Sequence, residues 1–213
     1  MKLVFVHGSG GTGTVWKHQT DFFRDADAVN LPGHLSEGEA CTSVEDYASW
    51  LHDYVRSKGY TRPVLGGHSL GGAIVLQYAL DYPDEVGGLV LIGTGAKLRV
   101  APHVLQAIEK GIEDPESWLN EFVDSQLHEI QEMVSGTVVR EEDLDKSHRA
   151  QILADTAKVG ARVQLSDFLC CDRFDVLERV HEIKAPTLVL VGSRDVFTPA
   201  EVWCLPCGAH RRG

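Results

Sequence analysis

Five short β-type runs separated by helical stretches are the strongest constraint on this chain's fold. Lys2–Val6, Ala26–Asn30, Val64–Gly67, Leu89–Ile92 and Thr187–Val191 read as strands. Val15–Phe23, Val44–Ser57 and Leu70–Tyr82 read as helices between them, with Ser43 as N-cap and Asp46 in capping-box position for the second. Pro83 stops the third. This alternation predicts an α/β fold, a mostly parallel sheet with helices on both faces. The apolar strands are expected to be buried on both sides. Residues 97–180 break the alternation. They hold helical windows at Val104–Lys110, Ser117–Met133 and Glu141–Val159 and no convincing strand, and Pro102 and Pro115 suit first-turn positions. The expected organisation is therefore a core of residues 1–96 and 181–213, with 97–180 inserted as a helical cap before the last recognisable strand.

The 213 residues suffice for one such domain. A formal net charge of -11 repels phosphate backbones, so no nucleic-acid partner is expected. The acidic residues from Glu109 to Asp145 read as solvated helix faces. No apolar run approaches the roughly 18 residues of a membrane helix, and Leu3–Val6 is too short for a signal peptide. No membrane association and a cytoplasmic location are expected. Five cysteines, two of them adjacent at Cys170 and Cys171, do not indicate a disulfide framework.

Gly67-His68-Ser69-Leu70-Gly71-Gly72 satisfies G-x-S-x-G between a strand and a helix. That spacing places Ser69 on a tight turn that exposes its hydroxyl, and the following helix directs its N–H groups at the reacting centre. Ser69 is the candidate nucleophile. His7-Gly8-Ser9-Gly10-Gly11 follows the first strand and can aim backbone amides inward. Acyl transfer needs two such donors for the oxyanion. They are assigned to the backbone N–H groups of Ser9 and Leu70, with Gly10 as the alternative to Ser9. His7 reads as a brace of this loop rather than a base. Neither phosphate-binding glycine pattern is present.

Together these residues resemble the α/β-hydrolase superfamily, in its serine esterase and lipase-like branch. Leu31-Pro32-Gly33-His34, Tyr82-Pro83-Asp84-Glu85-Val86 and the run from Ala185 to Asp195 resemble further stretches of that family. Asn30 and Leu35 depart from its usual Asp and Gly at positions that are not catalytic. The resemblance implies Asp195 as the acid, just past the fifth strand, and a histidine after it in the chain. Only His210 follows Asp195, and Gly208-Ala209-His210 resembles the family's approach to its base. The 14 residues between them can span the roughly 10 Å separating paired side chains. His210 is thus the candidate base, with His34, His68, His103, His128 and His148 as substitutes. The elbow turn is expected to point His68 away.

After Pro199 the sequence stops resembling the family, as a frameshift or premature end in the source gene would produce. Trp203-Cys204-Leu205-Pro206-Cys207 resembles a redox motif but lacks the following helix that would lower a cysteine pKa. Cys204, Cys207 and His210 could chelate zinc, yet no fourth ligand is evident. No metal or cofactor is expected. The implied activity is hydrolysis of carboxylic esters of small or medium acyl chain through an acyl-enzyme on Ser69. Val104, Leu105, Trp118 and Phe122 are candidate pocket residues. One alternative is a hydroxynitrile-lyase-like reaction on the same scaffold. Another is an impaired, hydrolase-like binding protein whose exposed sheet edge pairs with a second copy as a homodimer.

Overall fold

The computed structural model describes residues 1–121, 124, 145–193 and 195. Its sheet has five strands: β1 (Leu3–Val6), β2 (Ala26–Val29), β3 (Val64–His68), β4 (Gly88–Ile92) and β5 (Thr187–Leu190). All neighbours are parallel, in the order β2-β1-β3-β4-β5. The α/β architecture expected from the alternation is therefore observed.

Helices α1 (Lys17–Phe22), α2 (Val44–Ser57) and α3 (Leu70–Asp81) connect the strands, and a 3-10 turn at Gly13–Trp16 leads into α1. Helix α2 buries Val44, Tyr47, Ala48, Leu51 and Val55, an i, i+3, i+4, i+7 stripe. Its Ser43 hydroxyl accepts the Asp46 N–H at 3.0 Å, as expected of the cap. Helix α3 is apolar all round and buried from Leu70 through Leu80, as befits a helix enclosed by the core.

Strands β1, β3 and β4 are largely buried, in line with their apolar composition. Strand β5 is not. Leu188 is 53% and Leu190 46% exposed, and β4 is its only strand partner among the described residues.

Between β4 and β5 the described secondary structure is mainly helical, apart from an isolated antiparallel bridge between Lys97 and Asp175. Helix α4 spans Pro102–Glu113 with Pro102 at its first turn, residues 115–121 are helical, and α5 spans Lys146–Arg173. The expected helix over Glu141–Val159 is found from Lys146 and ends at Val159 as expected, and a further helical segment follows it. Gly160, at φ 81° and ψ 164°, kinks the chain, and the helix resumes at Ala161. A glycine in that backbone region ends one helix and lets the next begin, so α5 consists of two helical segments, 146–159 and 161–173. Most of the Ser117–Met133 window lies outside the described residues. The two ends of the helical interval meet beside the sheet. Val176 N–H donates to Ala96 O at 2.7 Å, and Leu98 N–H to Phe174 O at 3.2 Å. No helix among the described residues is long and apolar enough to cross a membrane.

This topology places a crevice. The chain runs from β1 outward to β2, then returns to β3 on the other side of β1 and continues outward to β4 and β5. Connections leaving β1 and β3 therefore diverge at the carboxyl ends of adjacent strands, the switch point where open α/β sheets bind ligands. Val6 pairs with Gly67 in register, so the loop after β1 and the turn after β3 lie side by side.

Candidate active site

The turn after β3 is a sharp elbow. Ser69 has φ 51° and ψ −119°, a left-handed value that costs an L residue on the order of 1–3 kcal/mol. Its backbone is held on both sides. Ser69 N–H donates to Ile92 O at 3.1 Å, while its carbonyl accepts the Thr94 hydroxyl at 2.7 Å and the Gly72 N–H at 2.9 Å. A Cβ on Gly71 would collide with the carbonyl oxygens of Val6 and His7, and one on Gly67 with Gly71. The glycines of G-x-S-x-G are thus required for close approach between β1, β3 and the start of α3.

The loop after β1 passes directly against the serine. A Cβ on Gly8 would lie 3.2 Å from the Ser69 Cβ and 2.9 Å from His68 Nδ1. Gly11 N–H closes this loop onto Gly8 O at 3.1 Å. His7 braces it. Leu31 N–H donates to His7 Nε2 at 3.1 Å, so the ring proton sits on Nδ1 and donates to Gly8 O at 2.9 Å. Burial, followed by repulsion from His34, lowers the His7 pKa to about 4.

That depression has a consequence for stability. Between pH 6.5 and 4 the unfolded chain binds a proton at His7 that the folded chain does not. Stability should therefore fall as pH drops below 6.5 and level off near 4, losing about 3 kcal/mol in full. Urea unfolding across that range checks this, and His7→Gln should flatten the slope. A wild-type slope equal to that of His7→Gln would contradict it.

Gly10 N–H donates to Asp167 Oδ2 at 2.8 Å. This corrects the alternative assignment of Gly10 as an oxyanion donor, because its proton is already used. The Ser9 and Leu70 amides donate to no other described residue. The Ser9 hydroxyl lies 3.6 Å from Cys171 Sγ.

Asp167 is the site's largest departure from the sequence expectations. It comes from α5, is fully buried, and gathers three partners. Besides Gly10, its Oδ2 lies 2.7 Å from His34 Nε2, and its Oδ1 accepts the Tyr47 hydroxyl at 2.9 Å. His34 Nδ1 faces Pro32 O at 2.9 Å. A carbonyl and a carboxylate can only accept, so His34 carries both ring protons and forms a buried imidazolium–carboxylate pair. Burial alone would lower the His34 pKa. The hydrogen bond and charge of Asp167 outweigh it and raise the pKa above the ordinary imidazole value. Burial first, then Asp167, keeps Tyr47 protonated as a donor.

Asp195 is half-buried just past β5. It flanks Gly93 together with His68: a Cβ on Gly93 would lie 3.5 Å from both Asp195 Oδ2 and His68 Nε2. Desolvation lowers the His68 pKa, and the Asp195 charge opposes that shift. Of the other substitute bases, His34 has both nitrogens committed to acceptors, and His148 Nε2 faces Thr14 O at 2.7 Å. His210 and His128 lie outside the described residues, as do Phe122, Cys204 and Cys207. Cys41, Cys170 and Cys171 are free, and burial pushes their thiols up to about 11, 11 and 12, which keeps them unreactive.

The fold and this elbow define a hydrolase scaffold, and comparison with known proteins agrees. Residues 3–209 match the model of the Alpha/beta hydrolase family. Two 2-hydroxy-6-oxononadienedioate/2-hydroxy-6-oxononatrienedioate hydrolases, from Paraburkholderia phymatum and Burkholderia vietnamiensis, are 30% and 31% identical, across 96% of this chain and 76% of theirs. The solved structure of a thermophilic esterase is 30% identical with a TM-score of 0.69, covering 94% of this chain and 73% of its own. The chain belongs to the alpha/beta hydrolase family.

Proposed function

We propose that this chain hydrolyses carboxylic esters of small or medium acyl chain through an acyl-enzyme on Ser69. The observation that carries the reading is the left-handed backbone of Ser69 at the switch point, with the Gly8 loop against it and the Ser9 and Leu70 amides donating to no described residue. In this reading Ser69 Oγ attacks the acyl carbon while a histidine takes its proton. The tetrahedral oxyanion accepts the Ser9 and Leu70 N–H groups. The alkoxide leaves with the proton from that histidine. Water, deprotonated by the same histidine, then attacks the acyl-enzyme, and Ser69 recovers its proton as the acid departs. Asp195 orients the histidine, and the helices between β4 and β5 cap the crevice.

His210 is the base in this scheme. A second reading makes His68 the base, because it flanks Gly93 together with Asp195. Turnover of p-nitrophenyl acetate and butyrate separates the two. His210→Ala should reduce kcat by at least about 1,000-fold, with His68→Ala retaining most activity. An active His210→Ala with an inactive His68→Ala would transfer the role to His68. Two relatives are named for a 2-hydroxy-6-oxononadienedioate substrate. A wild-type protein that turns over 2-hydroxy-6-oxononadienedioate and neither ester would overturn the ester reading and keep the hydrolase.

A further inference from the structure

Away from the elbow, α1 and the start of α5 bring together three groups that the hydrolase chemistry does not use. His148 Nδ1 and His18 Nε2 lie 3.2 Å apart, and Asp145 Oδ2 is 3.8 Å from His18 Nε2. All three ligand atoms fall within 4.8 Å of one another. We propose that His18, Asp145 and His148 form a three-ligand site for a borderline divalent cation, zinc foremost, that joins α1 to the N-terminus of α5.

Three features of the local geometry support this. Ligand atoms of a tetrahedral zinc with Zn–N near 2.05 Å stand about 3.3 Å apart, close to the observed spacing. The remaining atoms of two ligands are already committed in the way metal ligands require. His148 Nε2 donates to Thr14 O at 2.7 Å, so its Nδ1 carries a lone pair. Asp145 Oδ1 accepts the His148 N–H at 2.9 Å as the helix cap, leaving Oδ2 toward the imidazoles. Thr14 is itself fixed, since its hydroxyl donates to Asp155 Oδ2 at 2.7 Å, two turns along α5.

Two effects oppose binding. The positive end of the α5 dipole disfavours a cation, and the Lys17 ammonium interacts with Asp145. The Asp145 charge counters the first. Lys17 is chiefly engaged by Asp21, at 2.5 Å. Without metal, the His18 Nε2 proton bridges the two rings. Binding moves that proton to His18 Nδ1 and exposes the second lone pair. His18 is exposed, so its ring can adjust. Two imidazoles and one carboxylate suit zinc or nickel better than magnesium or calcium, and water completes the coordination.

Thermal unfolding and calorimetric titration of the whole chain with zinc chloride test this without reference to catalysis. One equivalent should bind, and at a hundredfold excess over Kd the Tm should rise by about 5–10 °C. His18→Ala, at an exposed position that should not impair folding, should abolish the rise, as should His148→Ala. Asp145→Asn keeps a helix cap and should weaken binding at least tenfold. Cys204→Ser with Cys207→Ser should leave the response intact. No zinc-dependent rise in the wild type, a rise that survives His18→Ala, or one lost in the double cysteine variant would each overturn the proposal. The last outcome would place the metal in the C-terminal segment.

Discussion

Ser69→Ala should reduce p-nitrophenyl ester turnover by at least about 10,000-fold, with little change in Tm. Nucleophile removal in a preorganised serine site costs this much because the base and acid have nothing left to activate, and only oxyanion stabilisation and binding remain. Stability should hold or rise slightly, since alanine at φ 51° suffers the same backbone strain and the Ser69 backbone contacts persist. Residual activity within about tenfold of wild type would contradict the role given to Ser69. Circular dichroism of the same sample should show that the variant is folded, so that the loss of turnover is the loss of the nucleophile.

Asp167→Ala should be the most destabilising substitution in the site, costing about 3–5 kcal/mol in urea unfolding. It would leave the His34 imidazolium, the Tyr47 hydroxyl and the Gly10 N–H buried without their acceptor. His34 would then give up its proton. The release of Gly10 also frees the segment that carries the Ser9 amide, so kcat should fall more than KM changes. Asp167→Asn should be milder, because an amide oxygen can still accept from Tyr47 or Gly10. Combining His34→Gln with Asp167→Asn should recover part of the loss, since both charges leave together. A cost within about 1 kcal/mol for Asp167→Ala, with kcat unchanged, would contradict the account of Asp167 as the residue that positions the loop.

The parts of this molecule governed by short-range rules were legible in its sequence. G-x-S-x-G implies an elbow because a Cβ at Gly71 cannot coexist with the carbonyls of β1, and the strand before it and the helix after it are visible as apolar runs. The Ser43 cap and the brace role of His7 follow from local chemistry in the same way. What escaped depends on contacts between distant segments. Asp167 meets Gly10 and His34 across separations of 157 and 133 residues, from a helix without a motif. A usable signal existed: Asp167 shares one helical face with Gln164, Cys170 and Cys171, all buried, and a carboxylate on such a face requires a partner. The second half of α5 was missed because Gly160 interrupts its periodicity. The exposure of β5 was missed because Thr187-Leu-Val-Leu reads alike in a central strand and an edge strand.

We propose Ser69 as the activated nucleophile of the scaffold. Its most direct measurement is covalent labelling with a fluorophosphonate, followed by intact mass and peptide mapping. One adduct per chain is expected, on the peptide containing Gly67-His68-Ser69-Leu70, and none in Ser69→Ala. A wild-type protein that stays unlabelled while folded, or an adduct on any other residue, would contradict it.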